Sequence, residues 1–302
     1  MSSVWVAGEA LIDLIPTAPG SQTRNAIVGG GPVNTAKALA RLGFDSYFID
    51  GISTDAYGKT IRDELAADGV HLDYTLTSAN PTCTATVSLD ENGGASYEFL
   101  IDGTATFEFN DSWLPNPANP PSVVHVGTLA TIVEPGASNL FDWIKQIKAP
   151  LVFDPNIRPS VISDRAQYRA VVEKWATISS VIKVSEDDLE WLYPKVSMID
   201  AAEAWLAEGV ALVVVTLGAN GIVAFTPNGE VRVPGVKVEV SDTVGAGDTV
   251  GAIIVEGIIN HGIPQLKGEI LKSVLTRAAK AAAITVSRPG ANPPTQEELV
   301  GY

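Results

Sequence analysis

Short apolar runs rich in β-branched residues recur along this chain, separated by longer amphipathic stretches. Val4–Ala7, Ser46–Ile49, Val123–Val126, Leu151–Phe153, Val181–Val184 and Leu212–Thr216 are such runs, and Lys183 is the one charge among them. Runs without a polar face read as strands buried on both sides. Between them lie helical patterns: Pro32–Leu42, Tyr57–Asp68, about Pro135–Ile147, Arg165–Ile178, Glu186–Tyr193 and Ile199–Glu208. Proline near the first turn and Gly43 just past the last residue bound the first of these, and Gly69 ends the second. Strands alternating with helices predict an α/β fold, a mostly parallel sheet covered by helices.

Two regions break the rhythm. Glu9 to Val28 contains Asp13, Pro16, Pro19 and Gly20, and Thr82 to Phe109 reads as the strand pair Thr84–Leu89 and Ser96–Ile101 around the turn Asn92-Gly93-Gly94. These predict a small β-sheet lid beside the core, formed discontinuously by about residues 10–28 and 82–109. No linker interrupts the chain, which reads as a single domain over 1–302. Its 302 residues, 46% of them hydrophobic, can bury a large core.

Charge and cysteine usage narrow the class. A net charge of −15 argues against a nucleic-acid partner, whose phosphates require a basic face, but leaves room for a nucleotide in a local site. The single cysteine, Cys83, excludes an intramolecular disulfide and suits a reducing compartment. Met1 leads straight into Val4-Trp5-Val6-Ala7 without a basic leader, and no apolar run approaches the ~20 residues of a membrane span. The expectation is a soluble cytoplasmic protein with no membrane partner.

Ser241-Asp242-Thr243-Val244-Gly245-Ala246-Gly247-Asp248-Thr249 carries the sharpest chemistry. It lies between an alternating segment, Val231 to Val240, that reads as strand, and Val250–Val255, which reads as the start of a buried helix. Gly245, Ala246 and Gly247 leave the backbone unshielded, so N–H groups at the helix start can converge on an anion. Asp248 beside them can accept a proton from an attacking hydroxyl. A base next to an anion hole predicts phosphoryl transfer. The bland alternative is a tight turn with Asp248 decorating a helix end.

Other strand ends offer partners for that turn. Gly29-Gly30-Gly31-Pro32-Val33-Asn34 allows close approach of a ligand at a helix start, and Asn34 can both donate and accept. Asp13 can accept two sugar hydroxyls. Arg158, in Phe153-Asp154-Pro155-Asn156-Ile157-Arg158, can hold hydroxyls or phosphate oxygens with its planar fork, or pair with Asp154 inside the turn. Lys183-Val184-Ser185-Glu186-Asp187-Asp188 reads first as a helix cap, Ser185 with Asp188, and otherwise as a contact to nucleotide phosphates and Mg²⁺. Thr216-Leu217-Gly218-Ala219-Asn220-Gly221 could admit a ribose or phosphate. His71, His125 and His261 share no metal-ligand spacing, Trp143, Trp175, Trp191 and Trp205 read as core, and Gln296–Leu299 reads as a solvated terminal helix face.

With these segments in order, the chain resembles the ribokinase-like, PfkB-type carbohydrate kinases over nearly its full length. Asp242-Thr243-Val244-Gly245-Ala246-Gly247-Asp248 matches the C-terminal signature of that family, Asp-Thr-x-Gly-Ala-Gly-Asp. Gly30–Asn34 with Ala38–Gly43 is similar to its N-terminal signature. Gly8–Asp13 and Phe153–Arg158 look most like the bacterial fructokinase branch. The resemblance implies a three-layer α/β/α core with a β-sheet lid, and ATP-dependent phosphorylation of a sugar hydroxymethyl group. It assigns the base to Asp248 and the anion hole to Gly245, Ala246 and Gly247. Sugar contacts fall to Asp13, Gly30, Gly31, Asn34 and Arg158, and nucleotide contacts to Lys183, Ser185, Asp188, Thr216, Gly218 and Gly221. ATP, Mg²⁺ and K⁺ are the implied cofactors, with K⁺ against the backbone of Asp242 and Val244 and the 287–291 loop. The lid strand would offer Tyr97 or Phe99 to stack on the sugar, since alternation places both on one face.

The sequence also departs from the family pattern. The usual Asn-x-x-Glu appears as Ser185-Glu186-Asp187-Asp188, and Leu100–Thr106 lacks the Gly-Ala-Asp typical of fructokinases. Fructose is the first expected acceptor on the likeness of Gly8–Asp13 and Phe153–Arg158 to the fructokinase branch, and the altered lid segment counts against it. A 2-keto-3-deoxygluconate kinase, a ribokinase or a riboside kinase is the alternative, and a sensor that binds without turnover is a third reading. Exposed lid edges invite pairing, so a homodimer through the lid is the expected assembly.

Overall fold

The computed structural model describes residues 2–18, 21–89 and 95–300, and of residues 89 and 95–97 the backbone alone. Among the described residues the chain runs β1 (Ser3–Ala7), β2 (Leu11–Pro16), β3 (Arg24–Gly29), α1 (Gly31–Arg41), β4 (Asp45–Ile49), β5 (Gly51–Ser53), α2 (Ala56–Ala67), β6 (Leu76–Ser78), β7 (Thr84–Leu89) and β8 (Ala95–Leu100). It continues through β9 (Val123–Gly127), α3 (Gly136–Ile144), β10 (Leu151–Asp154), α4 (Arg165–Ala176), β11 (Val181–Ser185), α5 (Glu186–Leu192), α6 (Met198–Ala207) and β12 (Leu212–Thr216). The hairpin β13 (Ile222–Thr226) and β14 (Gly229–Val233) and the helices α7 (Ala246–His261), α8 (Gly268–Val286) and α9 (Gln296–Val300) complete it.

The strands form an eight-stranded sheet, ordered β14-β13-β12-β11-β10-β9-β1-β4. From β12 to β4 all neighbours are parallel, and β13 and β14 add an antiparallel edge. Strand alternation divides the core in two. Val4, Val6, Val123, Val152 and Val181 pack with α1, α2, α7 and α8, whereas Trp5, Ala7, Val124, Phe153 and Ile182 pack with α3 to α6. This is the α/β/α arrangement expected. No described helix is long and apolar enough to cross a membrane.

The two irregular regions build a separate four-stranded sheet, ordered β3-β2-β7-β8. Its second strand pair occupies the expected places within one residue. Pro19, Gly20, the Asn92–Gly94 turn and the side chain of Tyr97 lie outside the described residues.

Several details differ from the expectation. The alternating segment over 231–240 is strand only to Val233. Beyond it Val236, Val238 and Val240 are exposed and no neighbouring strand pairs with them, so alternation has no core to face. The strand β13 and the longest helix, α8, gave no distinct sequence signal. Alanines throughout Ala278–Ala283 blur the apolar stripe of α8. Trp191 is only half-buried, while Trp143, Trp175 and Trp205 are core. In α9 the glutamates are solvated, but Leu299 is buried.

Candidate active site

The parallel strands all end at one edge of the sheet, where open α/β folds bind ligands. The chain order reverses there between β1 and β9, because β1 is flanked by β4 on one side and β9 on the other. Helices α1 and α7 both begin over this point.

The entry to α7 depends on its glycines. Gly245 caps the helix in the left-handed region, with φ 79°, where a side chain is strained. A Cβ there would also lie 2.7 Å from Ala291 Cβ. Thr249 Oγ1 bonds Gly245 O at 2.9 Å and Thr285 Oγ1 at 2.9 Å, tying the first turn to α8. Asp242 holds the approach: its Oδ1 accepts the Val244 N–H and its Oδ2 the Gly290 N–H, both at 3.0 Å. The turn and the 287–291 loop thus lie side by side.

Asp248 sits in the first turn of α7 and is buried. Asn34 Nδ2, from α1, donates to its Oδ2 at 2.8 Å. The free α-carbon of Gly31 faces the same spot. A Cβ on Gly31 would lie 2.9 Å from Thr128 Oγ1, 3.0 Å from Asn156 Nδ2 and 3.2 Å from Asp248 Oδ1. Four separate strand ends and helix starts therefore converge on one small volume. Burial raises the Asp248 carboxyl to about 6. The Lys183 ammonium, the Asn34 amide and Arg158 oppose that rise, and Asp154 adds to it.

Asp13 stands on β2 against the glycine segment that leads into α1. A Cβ on Gly29 would meet Asp13 Oδ2 at 2.3 Å, and one on Gly30 would meet Glu9 O at 2.3 Å. These glycines let the stem of β3 pass close behind the carboxylate. Burial raises Asp13 to about 6, and the charge of Arg158 pulls the other way. Arg158 folds over its own loop, with Nη1 donating to Asn156 Oδ1 at 2.7 Å and to Asn156 O at 3.1 Å. The Asp154–Arg158 pair that the turn sequence allowed does not form, because Asp154 is engaged inside the core. Phe99 is half-buried on β8 opposite Ala85, on the inner face of the smaller sheet.

Beneath α7 runs a row of buried polar side chains. Strand alternation places His125, Asp154 and Lys183 on the face toward α7, in line with Val123, Val152 and Val181. Lys183 Nζ bonds Asp154 Oδ2 at 2.8 Å, with both side chains almost wholly buried. The ammonium lies 2.7 Å from where a Cβ on Gly247 would be, and His125 Nε2 lies 3.5 Å from the corresponding point on Gly251. Glycines one turn apart let α7 settle onto this row. Lys183 therefore stands under the glycine turn beside Asp248. Burial holds the His125 imidazole down at about 3, so it is neutral.

The remaining strand ends adjoin. Ser185 and Thr216 are register partners on β11 and β12. Ser185 and Asp188 form a complete capping box: Asp188 N donates to Ser185 Oγ at 3.0 Å, and Ser185 N to Asp188 Oδ2 at 3.2 Å. Asp188 Oδ1 also accepts the Ile157 N–H at 2.9 Å, fixing the loop that carries Arg158. Both carboxylate oxygens serve the protein. Gly218 and Gly221 adopt φ of 54° and 102°, and Leu217 N bonds Gly221 O at 2.9 Å, closing a tight turn after Thr216.

Three contributors escaped the sequence reading. Thr128 is buried at φ 56° just past β9, Asn156 is at φ 38°, and Glu9 is 1% exposed with its carboxylate accepting the Ala130 N–H at 3.3 Å. Burial pushes Glu9 up to about 8. A polar residue directly after a buried strand is the one local signal that Thr128 offered.

The model of the pfkB family carbohydrate kinases matches residues 1–298. A fructokinase of Vibrio alginolyticus is 31% identical over 319 aligned positions, covering 100% of this chain and 99% of its own. One from Rhizobium leguminosarum bv. trifolii is 35% identical over 259 positions, 84% of this chain and 79% of its own. The fructokinase of Vibrio cholerae O395, solved in a fructose, ADP and calcium ion bound form, matches with TM-score 0.83 and 29% identity, covering 100% of this chain and 99% of that one. Xylella fastidiosa fructokinase with bound ATP matches with TM-score 0.88 and 25% identity, covering 99% and 97%. A match that leaves only the last few residues outside the family model makes this chain a member of the pfkB family of carbohydrate kinases.

Proposed function

We propose that this carbohydrate kinase is an ATP-dependent fructokinase that converts D-fructose to fructose 6-phosphate. The observation that carries the mechanism is the Asp248 carboxylate, held by Asn34 beside the bare α-carbon of Gly31 and next to the Gly245–Gly247 turn. Fructokinase relatives spanning the whole chain support the acceptor. The acceptor sugar lies against Asp13, Gly30, Gly31, Asn34 and Arg158, with Phe99 on the lid side. Asp248 takes the hydroxyl proton as the oxygen attacks the γ-phosphorus. The new P–O bond forms as the bond to the leaving ADP oxygen breaks. N–H groups of the glycine turn, with Lys183 below, face the charge that develops. The nucleotide lies along the ends of β11 and β12, by Ser185, Asp188, Thr216, Gly218 and Gly221.

Among the described residues no three His, Cys, Asp or Glu side chains gather as a metal cage. Mg²⁺ fits instead as an ion carried by the ATP phosphates. K⁺ fits against the carbonyls of Asp242 and Val244 beside the 287–291 loop, which Asp242 Oδ2 holds in place through Gly290. Its charge would order the glycine turn. The smaller sheet is the lid of a single kinase domain, and its edge strands β3 and β8 supply a pairing surface for a homodimer. Cys83, the single cysteine and a buried one, fits a reducing cytoplasm.

A kinase assay over fructose, ribose, 2-keto-3-deoxygluconate and ribosides, with and without K⁺, tests the reading. Fructose should give the highest kcat/KM, and a higher value for a sugar acid or riboside overturns fructose as the acceptor. The pH profile tests the base. Asp248 acts ionised, so kcat should be flat at higher pH and fall as pH drops through about 6. Asn34→Ala removes an N–H that favours the charged form, so its acid limb should move upward. An unmoved limb contradicts the assignment.

A further inference from the structure

The smaller sheet is joined to the core by stems that two carboxylates hold. Asp50 follows β4 and is fully buried. Its Oδ2 accepts the Ala10 N–H at 3.0 Å, where the chain leaves β1 for β2. Its Oδ1 accepts the Phe107 N–H at 3.2 Å, where the chain returns from β8. Asp55, the cap of α2, takes the Thr82 N–H at 2.8 Å and the Thr82 hydroxyl at 2.6 Å, where the second excursion begins. Thr106 Oγ1 donates to Ala10 O at 2.9 Å and ties one stem to the other. Gly51 admits the same stem, since a Cβ there would lie 1.9 Å from Ala105 O.

A buried carboxylate is costly unless backbone donors satisfy it. Burial first, and the neighbouring Glu9 carboxyl as well, push Asp50 well above the usual range, while the N–H groups of Ala10, Gly51 and Phe107 oppose this. The Ala10 and Phe107 N–H groups each meet a different oxygen of Asp50, and both oxygens keep an acceptor lone pair whether or not the carboxyl carries a proton, whereas an asparagine has one such oxygen and its NH₂ would confront the other donor.

We propose that Asp50 is a positioning residue for the sugar acceptor. It pins the outgoing and returning stems of the lid to the end of β4, and so sets Asp13, three residues beyond Ala10, at its place against Gly29, just before the start of α1. The sugar side of this inference rests on the reading that Asp13 takes acceptor hydroxyls.

Asp50→Asn tests it in the full-length protein. The KM for the sugar should rise about tenfold, with kcat and the KM for ATP changing less than about twofold. Amide hydrogen exchange should speed up in β2, β3, β7 and β8 but not in α7 or the large sheet. An unchanged sugar KM with unchanged lid exchange overturns the inference. So does a proportional loss of all kinetic constants with faster exchange throughout, which marks a general structural role. If the parent protein phosphorylates no sugar on the panel, the functional reading fails separately. The exchange pattern still decides the pinning: acceleration confined to the lid sustains it, and uniform or absent acceleration overturns it. Should Asp50→Asn not fold, Thr106→Val removes only the bond between the stems. It should accelerate lid exchange and raise the sugar KM to a smaller extent, and no change in either overturns the inference.

Discussion

Asp248→Asn should lower kcat by roughly 10²–10⁴, the range for a positioned acid–base group, while the sugar still binds with near-parental affinity. The amide keeps the shape of the carboxylate and an oxygen for the Asn34 Nδ2 donor, which lies at 2.8 Å in the parent. What it loses is the capacity to take a proton. It also loses the negative charge that faces Lys183, Asp154 and Arg158, the groups that bear on the Asp248 carboxyl. Lys183 keeps its Asp154 partner at 2.8 Å, so the core beneath α7 should survive the change. Single-turnover phosphoryl transfer and sugar binding, measured side by side, separate chemistry from affinity. Turnover within about tenfold of the parent would remove Asp248 from the base role.

Gly245→Ala should be nearly as damaging, by a different route. The residue sits at φ 79°, and a side chain in the left-handed region costs roughly 1–2 kcal/mol. Its Cβ would lie 2.7 Å from Ala291 Cβ and 3.0 Å from Ala291 Cα. The second of these is backbone and cannot rotate away. The turn and the 287–291 loop must separate, and the N–H donors proposed to hold the phosphate charge move with the turn. Loss of one preorganised donor is worth about 10²–10³ in kcat, and that is the expected fall. Because Asp242 links the same two segments through Gly290, any stimulation by K⁺ should weaken in parallel. Retention of parental kcat with only a lower melting temperature would show that the turn is structural and holds no charge.

Much of the framework was legible in the chain itself. The apolar runs from Val4 to Leu212 predicted strands buried on both faces, and six of them form the parallel part of the large sheet. Proline and glycine marked the bounds of α1 within a residue. Where the reading failed, burial was missing or blurred. Val236, Val238 and Val240 alternate as a strand would, yet nothing covers them. The helix α8 is rich in alanine, which fits both a core stripe and a surface. The capping box at Ser185 and Asp188 was legible because both partners lie within one helical turn.

The cation Lys183 shows the limit. At the end of a strand it reads as a nucleotide contact, and only the packed structure buries it under Gly247 with Asp154. Thr128, Asn156 and Glu9 likewise lie at strand ends in the sequence, and only the packed structure brings Thr128 and Asn156 against Gly31 and Glu9 against Ala130. The sequence by itself pointed to the class of chemistry, because the glycine turn and the carboxylate beside it lie within four consecutive residues and their geometry is local. The tertiary structure decided what surrounds that carboxylate. Asn34 and Asp248 are 214 positions apart, and Ala10 and Phe107 are brought onto one carboxylate by Asp50. Such convergence follows from the order of strands in the sheet and the close approach that glycines permit, and neither property belongs to any short stretch of the chain.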